Sequence, residues 1–113
     1  MYKIYHNTKC KISRFVLQKL IETGEKVEVI DYLNKQFTIQ EVENLLNVLN
    51  LQPLDIIRKK EDIFKKNYKG KSFSSDEWIR VIVKYPKLIE RPIIIKGYKA
   101  IICRPLEKIY EIL

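Results

Sequence analysis

The first thirty residues of this chain leave little freedom for its fold. Tyr2–Tyr5 reads as a short β-strand, Ser13–Thr23 as a helix with Val16, Leu17, Leu20 and Ile21 on its apolar face, and Val27, Val29, Ile30 and Tyr32 as a second strand. Gly24 is the stop signal between helix and second strand. Strand, crossover helix and strand within so short a span form a βαβ unit, which requires the two strands to run parallel. The connection His6–Lys11 has no periodic pattern and reads as a loop at the N-terminus of the helix.

The middle of the chain changes character. Thr38 and Glu41 form a capping box ahead of a helix carrying Ile39, Val42, Leu45, Leu46 and Leu49. Pro53 opens a further helical piece through Leu54, Ile56 and Ile57. Asp62–Lys66 is a weaker helical segment, with a turn around Gly70. Ser74 and Glu77 form a second capping box, opening a helix with Trp78, Ile79, Ile82 and Val83, and Pro86 lies just beyond. Strands then return. Pro92–Ile95 and Lys99–Cys103 flank Lys96-Gly97-Tyr98, a hairpin signal, and Pro105 opens a last helix with Leu106, Ile109, Tyr110 and Leu113. The order βαβ, helices, ββα predicts an α/β chain with a mixed four-stranded sheet of thioredoxin type. It is read as one domain over 1–113, with a helical insertion at about 36–88. In such a fold a proline before the third strand is commonly cis, which singles out Pro92, although base rates for X-Pro bonds favour trans.

Composition narrows the function classes. Apolar residues make up 46% and charged residues 32% of the 113, a globular balance. Two cysteines are too few for a disulfide framework, and the single histidine, His6, leaves no zinc ligand set. No apolar run reaches the ~18 residues of a membrane span, and no signal-peptide pattern is seen, so a cytoplasmic protein without a membrane partner is expected. The net charge of +8 points to an anionic partner, but the 17 lysines are scattered and no basic block appears, so nucleic acid is not expected. The five arginines are Arg14, Arg58, Arg80, Arg91 and Arg104. In a lysine-rich chain they are candidates where a planar fork must grip an oxyanion.

Cys10 is the candidate nucleophile. It precedes the first helix, where unpaired N–H groups and the helix dipole favour a thiolate, with His6, Lys9, Lys11 and Arg14 as nearby sources of positive charge. Cys10-Lys11-Ile12-Ser13 is a C-x-x-S pattern, so no dithiol loop can close here. An oxidised Cys10 would be resolved by Cys103 or by an external thiol. Ser13 also serves as a candidate helix N-cap. Arg91 and Arg104 belong to the two strands of the hairpin and can approach each other. With Arg58 and Cys10 they would make an oxyanion pocket around sulfur, although any one of them taken alone reads first as a surface ion pair.

These segments resemble one family. Tyr5-His6-Asn7-Thr8-Lys9-Cys10-Lys11-Ile12-Ser13-Arg14 is similar to the Y-H-N-x-x-C-x-x-S-R signature of glutaredoxin-coupled arsenate reductases. Ile57-Arg58-Lys59, Leu88-Ile89-Glu90-Arg91-Pro92-Ile93 and Cys103-Arg104-Pro105 resemble their later segments, in order over the whole chain. The resemblance implies a thioredoxin-like fold with a helical insertion. It implies Cys10 as nucleophile, with His6 lowering its pKa and Ser13 in the same motif. It implies Arg58, Arg91 and Arg104 as ligands of arsenate, glutathione with glutaredoxin as electron donor, and a chemistry that needs no metal and no bound organic cofactor. Cys103 matches a dispensable position and reads as structural. Relatives of the Spx type share the fold but bind RNA polymerase and carry C-x-x-C, where this chain has Ser13. An orphan thiol reductase or glutathione-binding protein of the same fold is the other alternative.

Overall fold

Tyr2–Tyr5 forms strand β1, Lys11–Glu22 helix α1 and Val27–Ile30 strand β2. A computed structural model describes every residue from Met1 to Leu113. Strands β1 and β2 run parallel, as the crossover demands, with Tyr2 opposite Val27 and Tyr5 opposite Ile30. The pairing extends one step beyond each end, through Tyr2 N to Lys26 O (2.8 Å) and His6 N to Ile30 O (2.9 Å). The second bond fixes the point at which the chain leaves the sheet for the Cys10 loop. Strands β3 (Ile93–Lys96) and β4 (Lys99–Ile102) close the sheet as an antiparallel hairpin turning at Gly97, whose φ is 62°. The sheet order is β2-β1-β3-β4, with β3 antiparallel to β1. This is the expected mixed four-stranded sheet.

Alternation along the strands decides what the sheet buries. Tyr2 and Ile4 project on the same side as Ile94, which lies opposite Ile4 in register. They pack with Val16 and Leu20 of α1, with Cys103, and with Ile109 and Ile112. Ile109 lies on a final 3₁₀ turn, Leu106–Glu111, where the sequence suggested an α-helix. The i→i+3 bonds Lys108 N to Pro105 O and Ile112 N to Ile109 O set that tighter winding. Each fully buried aliphatic side chain here contributes about 1.5–3 kcal/mol. Ile21, expected on the apolar face of α1, is exposed, and Leu17 is half-buried. Gly24 ends α1 as expected, with a φ of 79° and its N–H on Ile21 O. Tyr32 lies outside β2, which stops at Ile30.

These elements belong to one compact unit, Met1–Lys35 with Arg91–Leu113. A second unit, Gln36–Glu90, is helical. It contains α2 (Ile39–Leu49), α3 (Asp62–Asn67) and α4 (Ser75–Lys84), with 3₁₀ turns at Pro53–Ile56 and Pro86–Leu88. Both capping boxes form: Thr38 and Ser74 accept the N–H of Glu41 and Glu77, whose carboxylates accept the N–H of Thr38 and Ser74. Asn50 ends α2 in the left-handed region, with a φ of 56°. Trp78 anchors the interior, 4.9 Å from Phe73 and stacked 6.0 Å from Phe64. On α4 the buried positions are Trp78, Ile79, Val81 and Ile82, so Val81 takes the place expected for Val83. An isolated antiparallel bridge pairs Ile57 with Ile89, and Arg58 N donates to Leu88 O at 2.6 Å.

Candidate active site

The site is built on the junction between β1 and α1. Cys10 itself is the N-cap of α1, with extended backbone (φ −93°, ψ 121°), and its carbonyl accepts the first helical bond from Arg14 N at 3.0 Å. Ser13, expected as a candidate N-cap, lies instead inside the first turn. The helix starts earlier because backbone groups alone cap it, with no side-chain cap bond. This places the sulfur over the free N–H groups of the first turn, the arrangement that stabilises a thiolate.

Ser13 holds the loop from beneath. Its side chain is fully buried. Its Oγ accepts the N–H of Asn7 at 3.0 Å and lies 2.6 Å from Nδ1 of His6. His6 and Asn7 are buried as well. Asn7 Oδ1 accepts from Lys9 N at 2.9 Å, and the Cys10 N–H donates to Asn7 O at 3.0 Å. From above, Arg14 Nη1 donates to Thr8 O at 2.8 Å. The loop is clasped between the hydroxyl of Ser13 and the guanidinium of Arg14. The roles of Asn7 and Arg14 as clasps were not read from the sequence. One signal was available: Ser13 shares a helical face with Val16 and Leu20, so its hydroxyl had to find partners in the interior.

The sequence expectation that His6 supplies positive charge to Cys10 is not met. Burial lowers the His6 pKa below its ordinary value. Asp31 raises it and Arg14 lowers it further, each to a lesser degree, so His6 is neutral near pH 7. Its part in this geometry is to shape the loop.

The charge at sulfur comes from residues flanking the β3–β4 hairpin. Arg91 precedes β3 and Arg104 follows β4, so the hairpin brings them together just beyond its strands rather than within them. Arg104 Nε donates to Arg91 O at 2.7 Å, and Arg104 Nη2 donates to Cys10 Sγ at 3.3 Å. Burial acts to raise the Cys10 pKa and is the largest single influence. The N–H of Ser13, the Arg91 side chain, the Arg104 charge and the N–H of Ile12 all oppose it, and the net result is a thiol below its ordinary pKa. Pro92 lies between Arg91 and β3, and the Arg91–Pro92 bond is cis, against the base rate; Arg104–Pro105 is cis too. Backbone bonds around both prolines, Cys103 N to Pro92 O (2.9 Å) and Arg104 N to Ile102 O (2.9 Å), supply the tertiary context that a base rate lacks.

Two predicted residues make other contacts. Arg58 belongs to the helical unit, where its Nε lies 3.4 Å from Glu61 Oε1. Cys103 is buried in the sheet core, and burial, with a smaller push from Glu111, raises its pKa to about 12. That thiol is inert at neutral pH, in keeping with a structural role. The helical unit also has a cleft of about 270 Å³, lined in part by Glu43, Leu46, Leu51, Pro53, Asp76 and Ile79. It contains neither cysteine nor histidine.

An activated thiol at the N-cap of the first helix, in a sheet of order β2-β1-β3-β4, places the chain among proteins of thioredoxin-like fold. More narrowly, residues 5–112 match the ArsC family model, and the chain belongs to the ArsC family. An Escherichia coli K12 protein, YfgD, is 39% identical over 112 residues, covering 97% of this chain and 94% of that one. An arsenate reductase of Neisseria meningitidis is 35% identical over 113 residues, covering 98% and 97%. The solved structure of an arsenate reductase from Vibrio cholerae superposes with a TM-score of 0.92 at 37% identity, covering 99% of this chain and 97% of that chain.

Proposed function

We propose that this protein is a thiol-dependent arsenate reductase whose nucleophile is Cys10. The observation that carries the reading is the position of Arg104 Nη2, 3.3 Å from Cys10 Sγ, with Arg91 acting on the same sulfur. Two guanidinium groups beside a lowered-pKa thiol suit a tetrahedral oxyanion that is to be attacked by sulfur. The family resemblance adds Arg58 as a third oxyanion ligand. It also assigns glutathione and glutaredoxin as the source of electrons. The names of the Neisseria meningitidis and Vibrio cholerae relatives support arsenate as the substrate.

In this reading the Cys10 thiolate attacks As(V). An S–As bond forms, an As–O bond breaks and the oxygen leaves as water with protons from solvent. A glutathione thiol then attacks arsenic, a second As–S bond forming as an As–O bond breaks and the oxygen leaves as water. A glutaredoxin thiol attacks the glutathione sulfur, an S–S bond forming as that S–As bond breaks with its electron pair left on arsenic. Water then releases the As(III) from Cys10 as arsenite. Over the cycle two thiols lose two electrons and end as a disulfide, and As(V) becomes As(III). Arg91 and Arg104 hold the oxyanion and the charge that develops on it. His6, Ser13 and Arg14 keep the loop in the shape that presents sulfur.

The test is NADPH consumption with arsenate, glutathione, glutathione reductase and glutaredoxin, run beside Cys10→Ser. Turnover that disappears in the variant is expected. Absent turnover, with a Cys10 that still alkylates readily at neutral pH, would discard arsenate and keep the thiol chemistry. Binding of RNA polymerase would then be the next assay.

A further inference from the structure

The cleft of about 270 Å³ in the helical unit contains none of the residues assigned to the thiol chemistry. Helical spacing builds it. Glu43, Leu46 and Asn47 stand three and four residues apart on α2, and Ser75, Asp76 and Ile79 stand at matching spacing on α4, so each helix turns one face to the cleft. The chain after α2 completes the lining. Asn50 turns in the left-handed region, Leu51 N donates to Leu46 O at 3.1 Å, and Pro53 opens a 3₁₀ turn. Ser75 Oγ donates to Gln52 Oε1 at 3.5 Å, which ties that turn to the start of α4.

The chemistry of the lining is unlike the rest of the chain. Leu46, Leu51, Pro53 and Ile79 make it apolar, and its only charges are the carboxylates of Glu43 and Asp76. No lysine or arginine lines it, although the chain has 22 of them and a net charge of +8. Neighbouring carboxylates are already engaged. Glu41, Asp55 and Glu77 accept the N–H of Thr38, Gln52 and Ser74 at 3.1, 2.9 and 3.0 Å. Glu43 and Asp76 make no hydrogen bond and no ion pair, and Glu43 is half-buried. A carboxylate drawn partly out of water gains from a counter-charge that this chain does not supply. The N-terminus of α4 would by itself favour an anion, but Asp76 and Glu77 fill its first turn with negative charge. The cleft therefore selects for a cation that also carries hydrocarbon.

We propose that this cleft binds a short aliphatic diamine. The alkyl stem lies on Leu46, Leu51, Pro53 and Ile79, and the ammonium groups meet Glu43 and Asp76. Long cationic side chains pack in the same way, stem on apolar surface and charge at a polar rim. The volume falls just below the ~300 Å³ at which pockets for drug-sized ligands begin, which suits a chain of a few carbons. A lysine side chain from another protein has the same stem but a single ammonium, whereas a diamine neutralises both carboxylates. The site makes no use of Cys10 or of arsenate, so it stands or falls separately from the reductase reading.

The test titrates the full chain, with its thiols reduced, with cadaverine at low salt and follows backbone amide shifts by NMR. Saturable binding with a Kd on the order of 1 mM is expected for so small a ligand. The shifts should centre on Glu43, Leu46, Leu51, Asp76 and Ile79, and affinity should fall as salt rises. Pentylamine, with one ammonium, should bind several-fold more weakly, and 1,5-pentanediol and glutarate should not saturate. Glu43→Gln should weaken cadaverine by about fivefold, the exposed Asp76→Asn by less, and the double variant by about tenfold. Neither residue belongs to a capping box, so both helix starts are kept, and circular dichroism checks the fold of each variant. No saturation at about 20 mM cadaverine would overturn the proposal. So would shifts spread evenly over the surface carboxylates, or an affinity unchanged in the double variant. Pentylamine or the diol binding as well as cadaverine would overturn it too, the first by removing the need for two charges and the second by removing the need for any.

Discussion

Replacing Arg104 by methionine tests the electrostatic account of Cys10 most directly. Nη2 lies 3.3 Å from Sγ, which puts the centre of the delocalised charge about 4 Å away. Two unit charges at that distance interact by about 1 kcal/mol in bulk water and about 4 kcal/mol at an effective dielectric near 20. Cys10 is half-buried, so the lower part of that range applies. A loss of about 1.4 kcal/mol raises the pKa by about one unit. On the acid side of the midpoint the thiolate fraction then falls about tenfold. The more basic thiolate is also intrinsically more nucleophilic, by about threefold per unit, so the alkylation rate there falls only about threefold. The plateau at high pH should rise by about the same threefold factor. The assay is therefore the whole pH profile of alkylation with neutral iodoacetamide, and not one rate at pH 7. Arg104→Lys, which keeps the charge and loses the fork, should show a smaller midpoint shift. A midpoint unchanged in Arg104→Met, in a variant whose circular dichroism matches the parent, would refute the part given to Arg104 and leave the helix N-terminus and the Arg91 side chain as the sources of the low pKa.

Lysine at Arg58, Arg91 or Arg104 should each lower kcat/KM for arsenate by about tenfold or more, because a bidentate charge-assisted contact becomes a single point contact. Unchanged kinetics in any one of them would make that arginine structural. Native protein should titrate one thiol at neutral pH and denatured protein two, since Cys103 is buried with a pKa of about 12. Cys103→Ser should keep most reductase activity, and a loss equal to that of Cys10→Ser would point to an internal disulfide. Ser13→Ala strands the N–H of Asn7 and removes the partner of His6, a cost of about 1–3 kcal/mol that should lower Tm by several degrees. His6 has a lowered pKa in the folded state, so below the ordinary value of ~6.5 the unfolded chain takes up the proton first. Stability should therefore decline as pH drops through that value and level off below the folded pKa. Urea unfolding of the parent and of His6→Asn across pH 7.5 to 5 would expose this as a slope steeper in the parent.

Local signals were legible wherever the physics is local. The capping boxes at Thr38 and Ser74 need only residues three apart, and both form as expected. The βαβ start follows from periodicity and length, and Gly24 and Gly97 turn the chain where glycine is needed. The errors lie where tertiary contacts decide. Helix α1 begins at Lys11 because backbone bonds cap it, and a motif scan for capping side chains moves its start to Ser13. The segment after Pro105 has a helical pattern, yet winds as a 3₁₀ turn where Ile109 and Ile112 pack into the sheet core. Arg91 and Arg104 could be paired from the hairpin. Their reach to Cys10 depends on the order β1-β3-β4, which no local pattern states. The positive charge expected of His6 was lost to burial, a quantity that sequence gives only indirectly.

The two cysteines show why an external reductant suits this chain. Burial pushes both thiols upward in pKa. At Cys10 that push is overcome by two backbone N–H groups, the Arg91 side chain and the Arg104 charge. At Cys103, Glu111 adds to the effect of burial and Lys108 offsets it only in part. A resolving thiol must be a thiolate to attack, and it must reach the sulfur it resolves. A thiol of pKa about 12 in a closed core is a thiolate in only about one molecule in 10⁵ at pH 7. Ser13 occupies the C-x-x-C position and offers no sulfur. Resolution from within the chain would have to open the core around Cys103, among Ile4, Val16 and Ile94, and expose side chains that stabilise the sheet unit. A thiol from solution needs none of this, since Cys10 is already half-exposed at the rim of the loop. In the proposed reading, the places of the two sulfurs are the argument for electrons that enter from outside.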